Sequence, residues 1–168
     1  MIYTGVDPGK NGAIASITAT GEVLRVTRFS DVSTEGRIAL VVSDHFAELP
    51  HDTHSASLER VGAMPRQGLS STFVFGRVYG EAWAGLLFAL GGTVRIDSVT
   101  PTQWQRDLGL PKRSESPNHK RTLRELAKNH FGRKFTLADA DAVWLAEWCR
   151  THGDWAVTPN PKPPKVTP

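Results

Sequence analysis

The chain has 168 residues, 39% of them hydrophobic and 22% charged, with a formal net charge of +3. That length builds one globular domain with an ordinary core. No apolar run is long enough to cross a membrane, and the single cysteine, Cys149, excludes an internal disulfide.

Ile2, Tyr3, Thr4 and Val6 favour extended backbone, so a first strand is predicted over residues 2–7. Pro8-Gly9 and Asn11-Gly12 are turn signals, and a second strand follows at about 12–18. Gly21-Glu22 turns the chain into a third strand at about 22–29. A helix is expected at about 35–48, a fourth strand at 54–60 and a long helix near 70–90. Gly76, Gly80 and Gly85 lower the stability of that long helix, which suggests close approach of another backbone. A fifth strand is placed at 93–96, a short helix at 101–108 and a polar loop at 109–117. Two helices end the domain, at about 118–130 and 137–151. Cys149 falls inside the last one, as a small packing residue rather than a nucleophile. The domain therefore spans 1–152, and the segment 153–168, rich in proline and lysine, is expected to be a flexible tail.

Three strands joined by short turns form an antiparallel meander. A right-handed crossover through the first helix then lays strand 4 parallel to strand 1. The expected fold is α/β: a mixed five-stranded sheet, with strands 1–3 antiparallel and strands 4 and 5 parallel, flanked by helices.

Two carboxylates stand where strands run into loops. Asp7 precedes the Pro8-Gly9 turn, and Glu59 precedes Gly62 and Pro65. The crossover brings both to the same edge of the sheet. Asp139 and Asp141 lie in the first turns of the last helix. Acids at such places are costly unless paired, and oxygen ligands with few alternatives select Mg²⁺ or Mn²⁺. Asp139 has two readings. On a continuous helix it points about 200° away from Asp141, which is poor geometry for a shared ion; with Thr136 three residues before it, it also resembles a helix-capping arrangement.

Charge is unevenly spread. Between Arg106 and Lys134 nine basic residues face three acids, so that stretch carries +6 while the remainder of the chain carries −3. Such a patch suits a polyanion that touches one face.

Gly5-Val6-Asp7-Pro8-Gly9, Leu58-Glu59-Arg60-Val61, Met64-Pro65-Arg66-Gln67-Gly68, Phe75-Gly76-Arg77-Val78-Tyr79-Gly80, Val99-Thr100-Pro101-Thr102-Gln103-Trp104, His119-Lys120-Arg121 and Ala140-Asp141-Ala142 occur in that order. Together they resemble the RuvC-type Holliday-junction resolvases, in the branch often carried by bacteriophages, with the RNase H-like fold. The resemblance implies a homodimeric endonuclease that nicks four-way DNA junctions symmetrically, leaving 5′-phosphate and 3′-hydroxyl ends. It implies catalytic roles for Asp7, Glu59, Asp141 and Lys120. Two Mg²⁺ ions per site, with Mn²⁺ able to substitute, would be held by Asp7, Glu59, Asp141 and, in place of a family ligand that aligns with Ala138, Asp139. DNA contacts are expected from Arg66, Arg77, Arg113, Lys120, Arg121 and Arg124. No membrane partner is implied, and the expected location is the cytoplasm of a bacterial or phage-infected cell.

The sequence departs from that pattern in places. A second family lysine aligns with Gln105. The junction-opening aromatic has no clear counterpart, with Met64, Leu69 and Phe73 as candidates. An RNase H cutting RNA–DNA hybrids would use the same chemistry, and a catalytically silent DNA-binding protein could keep the fold. Sugar kinases and actin-like ATPases also begin with a similar strand, but they need two such domains and longer chains.

Overall fold

The structure, a computed structural model, describes residues 1–9, 11–31, 37–50, 53–60, 62, 68–92 and 94–153. Five strands form one sheet: β1 (Ile2–Asp7), β2 (Ala13–Thr18), β3 (Val23–Arg28), β4 (His54–Glu59) and β5 (Ile96–Val99), in the order β3-β2-β1-β4-β5. β1, β2 and β3 pair antiparallel, while β4 and β5 join parallel to β1. The mixed five-stranded topology expected from the meander and crossover is the one observed.

Alternation along the strands divides the sheet into two faces. Val6, Ile14, Ala56 and Leu58 pack with α1 (Ile38–Ala47) and α2 (Leu69–Ala89). The other face, with Ala13, Ala15 and Val99, packs against α5 (Leu137–His152), supported by α3 (Pro101–Asp107) and α4 (His119–Phe131). Asp7 and Glu59 point to this second face.

β5 begins three residues later than expected. Its register pairs Ala56 with Ile96 and Glu59 with Val99. Ladder pairing with β4 therefore overrides the local preference of Thr93 to Ile96, and it brings the start of α3 level with Glu59. The loop at 109–117 contains a single 3-10 turn, Arg113–Glu115.

The glycines of α2 separate into two groups. At Gly85 a Cβ would lie 2.8 Å from the Ala39 carbonyl oxygen, so this glycine lets α1 and α2 touch within one subunit. Gly76 and Gly80 meet nothing within 4 Å. They share a helical stripe with Leu69, Phe73, Ala84 and Leu87, and that stripe is exposed along its length.

A closer approach sets the position of α5. A Cβ on Gly5 would stand 2.2 Å from the Ala146 nitrogen and 2.3 Å from the Ala142 oxygen. Glycine on the strand and alanines on the helix bring the two backbones into contact. Asp141, beside Ala142, is thereby lowered to the end of β1, where Asp7 sits.

On the opposite face, Thr4, Ser16, His45 and Thr27 form a buried hydrogen-bonded chain, with both ring nitrogens of His45 at 2.9 Å from hydroxyls. His45 is fully buried, and burial, then the Arg25 charge, lowers its pKa to about 3. It is a neutral core residue.

Candidate active site

Four backbone elements converge at one edge of the sheet. β1 ends at Asp7 and β4 at Glu59; Val6 pairs with Leu58, so the two acids follow side by side. The first turns of α5 add Asp141, and α4 supplies Lys120, whose Nζ lies 3.3 Å from Asp141 Oδ2.

The electrostatics of this group are those of negative charges held together out of water. Burial, then the Asp141 charge, raises the Asp7 pKa to about 6, against the opposing Gly9 N–H, 3.0 Å from Oδ1, and Lys120. Burial, then Asp7, raises Glu59 further, to about 8. The indole N–H of Trp104, donated to Glu59 Oε1 at 3.0 Å, and the Lys120 charge work the other way. Burial also raises Asp141, although Lys120 and His119 oppose it. For Lys120, burial alone would lower the pKa, but attraction to Asp141, Asp7 and Glu59 prevails and raises it. The ammonium is the cation of an otherwise acidic cluster.

Asp139, one of the four sequence-level ligand candidates, is engaged elsewhere. Its Oδ1 and Oδ2 accept from Arg28 Nε and Nη2 at 2.8 and 2.9 Å. Its carboxylate also accepts from the Thr136 N–H at 2.8 Å, while the Thr136 hydroxyl accepts from the Asp139 N–H. That is a complete capping box at the start of α5. Burial would raise the Asp139 pKa, but the Arg28 and Thr136 hydrogen bonds outweigh it and lower it.

The DNA-contact candidates lie in different places. Lys120, Arg121 and Arg124 are on α4, on the face of the sheet that carries the carboxylates, and Arg113 is exposed on the loop before it. Arg77 is on α2, on the opposite face, with Nη1 3.1 Å from Glu81 Oε1. Arg66 and Met64 fall outside the described residues. Cys149 is fully buried, and burial pushes its thiol well above the ordinary range, which suits packing.

Sequence reasoning missed Trp104 as a partner of Glu59 and Arg28 as the partner of Asp139. Trp104 lay within a recognised motif, but no sequence signal says where an indole N–H points.

Three carboxylates, each raised in pKa by burial, are an oxygen donor set of the type hard divalent cations take. Among the described residues no three ligating side chains already close on one metal position. The donor chemistry and the shared sheet edge fit such an ion; the side chains would have to converge on it.

The backbone as a whole superposes on a T. thermophilus RuvC in complex with a Holliday junction substrate, with a TM-score of 0.63 over 87% of this chain and 90% of that one. The fold is that of RuvC. A second Thermus thermophilus RuvC structure gives a TM-score of 0.60, covering 91% of this chain and 98% of that chain. Sequence identities are 19% and 16%, so the likeness to RuvC is one of RNase H-like architecture. No protein-family model and no curated protein matches the chain. The RuvC likeness in three dimensions agrees with the resemblance drawn from the ordered sequence motifs. Among the described residues no helix is long and apolar enough to cross a membrane.

Proposed function

We propose that this chain is a divalent-metal-dependent endonuclease that cuts branched DNA, four-way junctions in particular. The observation that carries the reading is the meeting of Asp7, Glu59 and Asp141, from three elements distant in sequence, around the ammonium of Lys120.

Asp7, Glu59 and Asp141 would hold Mg²⁺ or Mn²⁺. Bound there, such ions would supply an activated water and offset the charge on the leaving 3′-oxygen. Glu59, with a pKa of about 8, keeps a proton at neutral pH that a metal ligand must release. Lys120, held protonated by the three acids, would contact a non-bridging oxygen of the scissile phosphate. Asp139 is assigned here to the helix cap.

The protein acts as a homodimer in this reading, since two symmetric nicks require two sites related by a two-fold axis. The exposed α2 stripe of Leu69, Phe73, Gly76, Gly80, Ala84 and Leu87 supports a helix-to-helix contact between copies.

The test is a nuclease assay with and without Mg²⁺ on four-way junction, flap, duplex and RNA–DNA hybrid substrates. Asp7→Asn should abolish cleavage and leave junction binding largely intact, because phosphate contacts by lysines and arginines remain. Cleavage by Asp7→Asn near the wild-type rate would reject the site. Preferential cutting of the hybrid would assign the chain to RNase H chemistry instead.

A further inference from the structure

A second charged feature lies away from the carboxylates. Arg124, Glu125, Lys128, Lys134 and Phe135 line a cavity of about 260 Å³ between α4 and the loop that returns from it to α5. Phe135 is buried beneath it, and the Arg133 guanidinium stands 5.8 Å from the centre of the Phe135 ring. Glu125 accepts from Arg124 Nη2 at 2.7 Å and lies 3.8 Å from Lys128 Nζ. One acid thus holds two cations side by side while neutralising only one of them. Lys134 and Arg133 add further positive charge, so the pocket as a whole attracts an anion.

Its position relates it to the proposed cut. Lys120, Arg124 and Lys128 recur every four residues along α4, so they lie on one helical face. The rise from Lys120 to Lys128 is about 12 Å. Successive phosphates of one B-DNA strand lie about 6–7 Å apart, because the strand winds about the axis as it rises about 3.4 Å per nucleotide. A strand that places one phosphate at Lys120 and follows this face reaches the pocket about two nucleotides further on.

We propose that this pocket is a phosphodiester-binding subsite for the strand being cut, gripping a phosphate about two nucleotides from the scissile one. The proposal rests on the nuclease reading above and extends it to the path of the strand. Lys128, Lys134 and Arg124 supply the cations, and Glu125 orders two of them while limiting the affinity.

Junction binding is measured without divalent metal, with single methylphosphonate linkages placed at each of the positions flanking the branch point. For the wild-type chain, one neutral linkage, or two adjacent ones on the same strand, should weaken binding by about tenfold, the loss of one charge-assisted contact. In the Lys128→Ala/Lys134→Ala chain the same linkage should make no further difference. The double variant should also flatten the slope of log affinity against log salt by about 0.9, the release of one phosphate contact. Glu125→Gln should tighten binding severalfold, an effect that loss of structure would not produce. Absence of any linkage coupled to Lys128 and Lys134, or weaker binding by Glu125→Gln, overturns the subsite. Cleavage of the unmodified junction by the wild-type chain reports separately on the nuclease reading. Cleavage without coupling rejects the subsite alone, and coupling without cleavage rejects the nuclease alone.

Discussion

The indole N–H of Trp104 donates to Oε1 of Glu59 at 3.0 Å, from a side chain that is 1% exposed. The same short helix is tied at its other end, where Trp148 of α5 donates to Asp107 Oδ2 at 3.0 Å. α3 therefore links the β4 carboxylate to the helix that carries Asp141. Trp104→Phe keeps most of the packing and removes the donor. Cleavage in Mg²⁺ should fall about 10- to 100-fold, the usual effect of losing a hydrogen-bonding partner of a metal ligand. Wild-type rates in a variant whose folding is intact would show that Glu59 needs no such orientation.

The raised acids make stability depend on pH in a definite direction. Glu59 near 8 and Asp7 near 6 hold protons in the folded chain that the unfolded chain releases at about 4.5 and 3.8. The folded state binds more protons in that interval, so the contribution of these groups is fully present below pH 4 and is lost as pH rises to 8. Over that range the loss is on the order of several kcal/mol. Thermal midpoints without divalent metal should fall from pH 5 to 8, Mg²⁺ should restore them, and Glu59→Gln should flatten the fall. A profile for Glu59→Gln that parallels wild type would contradict the shift.

His45 works in the opposite sense. Its pKa of about 3 lies below the unfolded 6.5, so its contribution is present above pH 6.5 and disappears as pH falls toward 3. His45→Leu removes this acid sensitivity, but it leaves the Ser16 and Thr27 hydroxyls without their ring partner at a cost of about 1–3 kcal/mol at pH 7. Chemical denaturation at pH 5 and pH 7 should therefore show the wild-type advantage shrinking at pH 5.

Asp139 and Asp141 should behave differently when neutralised. Asp139→Asn weakens the cap of α5 and the Arg28 pair, lowering stability by about 0.5–2 kcal/mol, with cleavage retained. Asp141→Asn relieves repulsion among the acids, so stability holds while cleavage is lost. Activity and thermal midpoint measured on both variants check the assignment, and an inactive but stable Asp139→Asn chain would restore Asp139 as a ligand.

Light scattering at micromolar concentration should report about twice the 18.4 kDa chain mass. Phe73, 73% exposed on the α2 stripe, is the position to test, and Phe73→Glu should give a monomer. A wild-type chain that is monomeric both free and on junction DNA would remove the symmetric mechanism.

Much of this architecture was legible in the residues because it follows from local rules. β-branched and aromatic runs between glycine turns specified the meander, and the right-handed crossover placed Asp7 and Glu59 side by side at one edge. The ordered motifs pointed to the same RuvC architecture that the backbone displays. What the tertiary structure decided depends on distance between segments. The register of β4 with β5 moved the fifth strand to Ile96–Val99, because ladder hydrogen bonds outweigh local preference. Arg28, on a strand 111 positions away, meets Asp139, and periodicity alone left its capping and ligand roles open. Gly85 and Gly76 look alike in sequence, but one meets the α1 backbone and the other meets nothing. The pKa values of Asp7 and Glu59 likewise belong to the folded chain alone, because burial and neighbouring charges exist only once β1, β4 and α5 have come together.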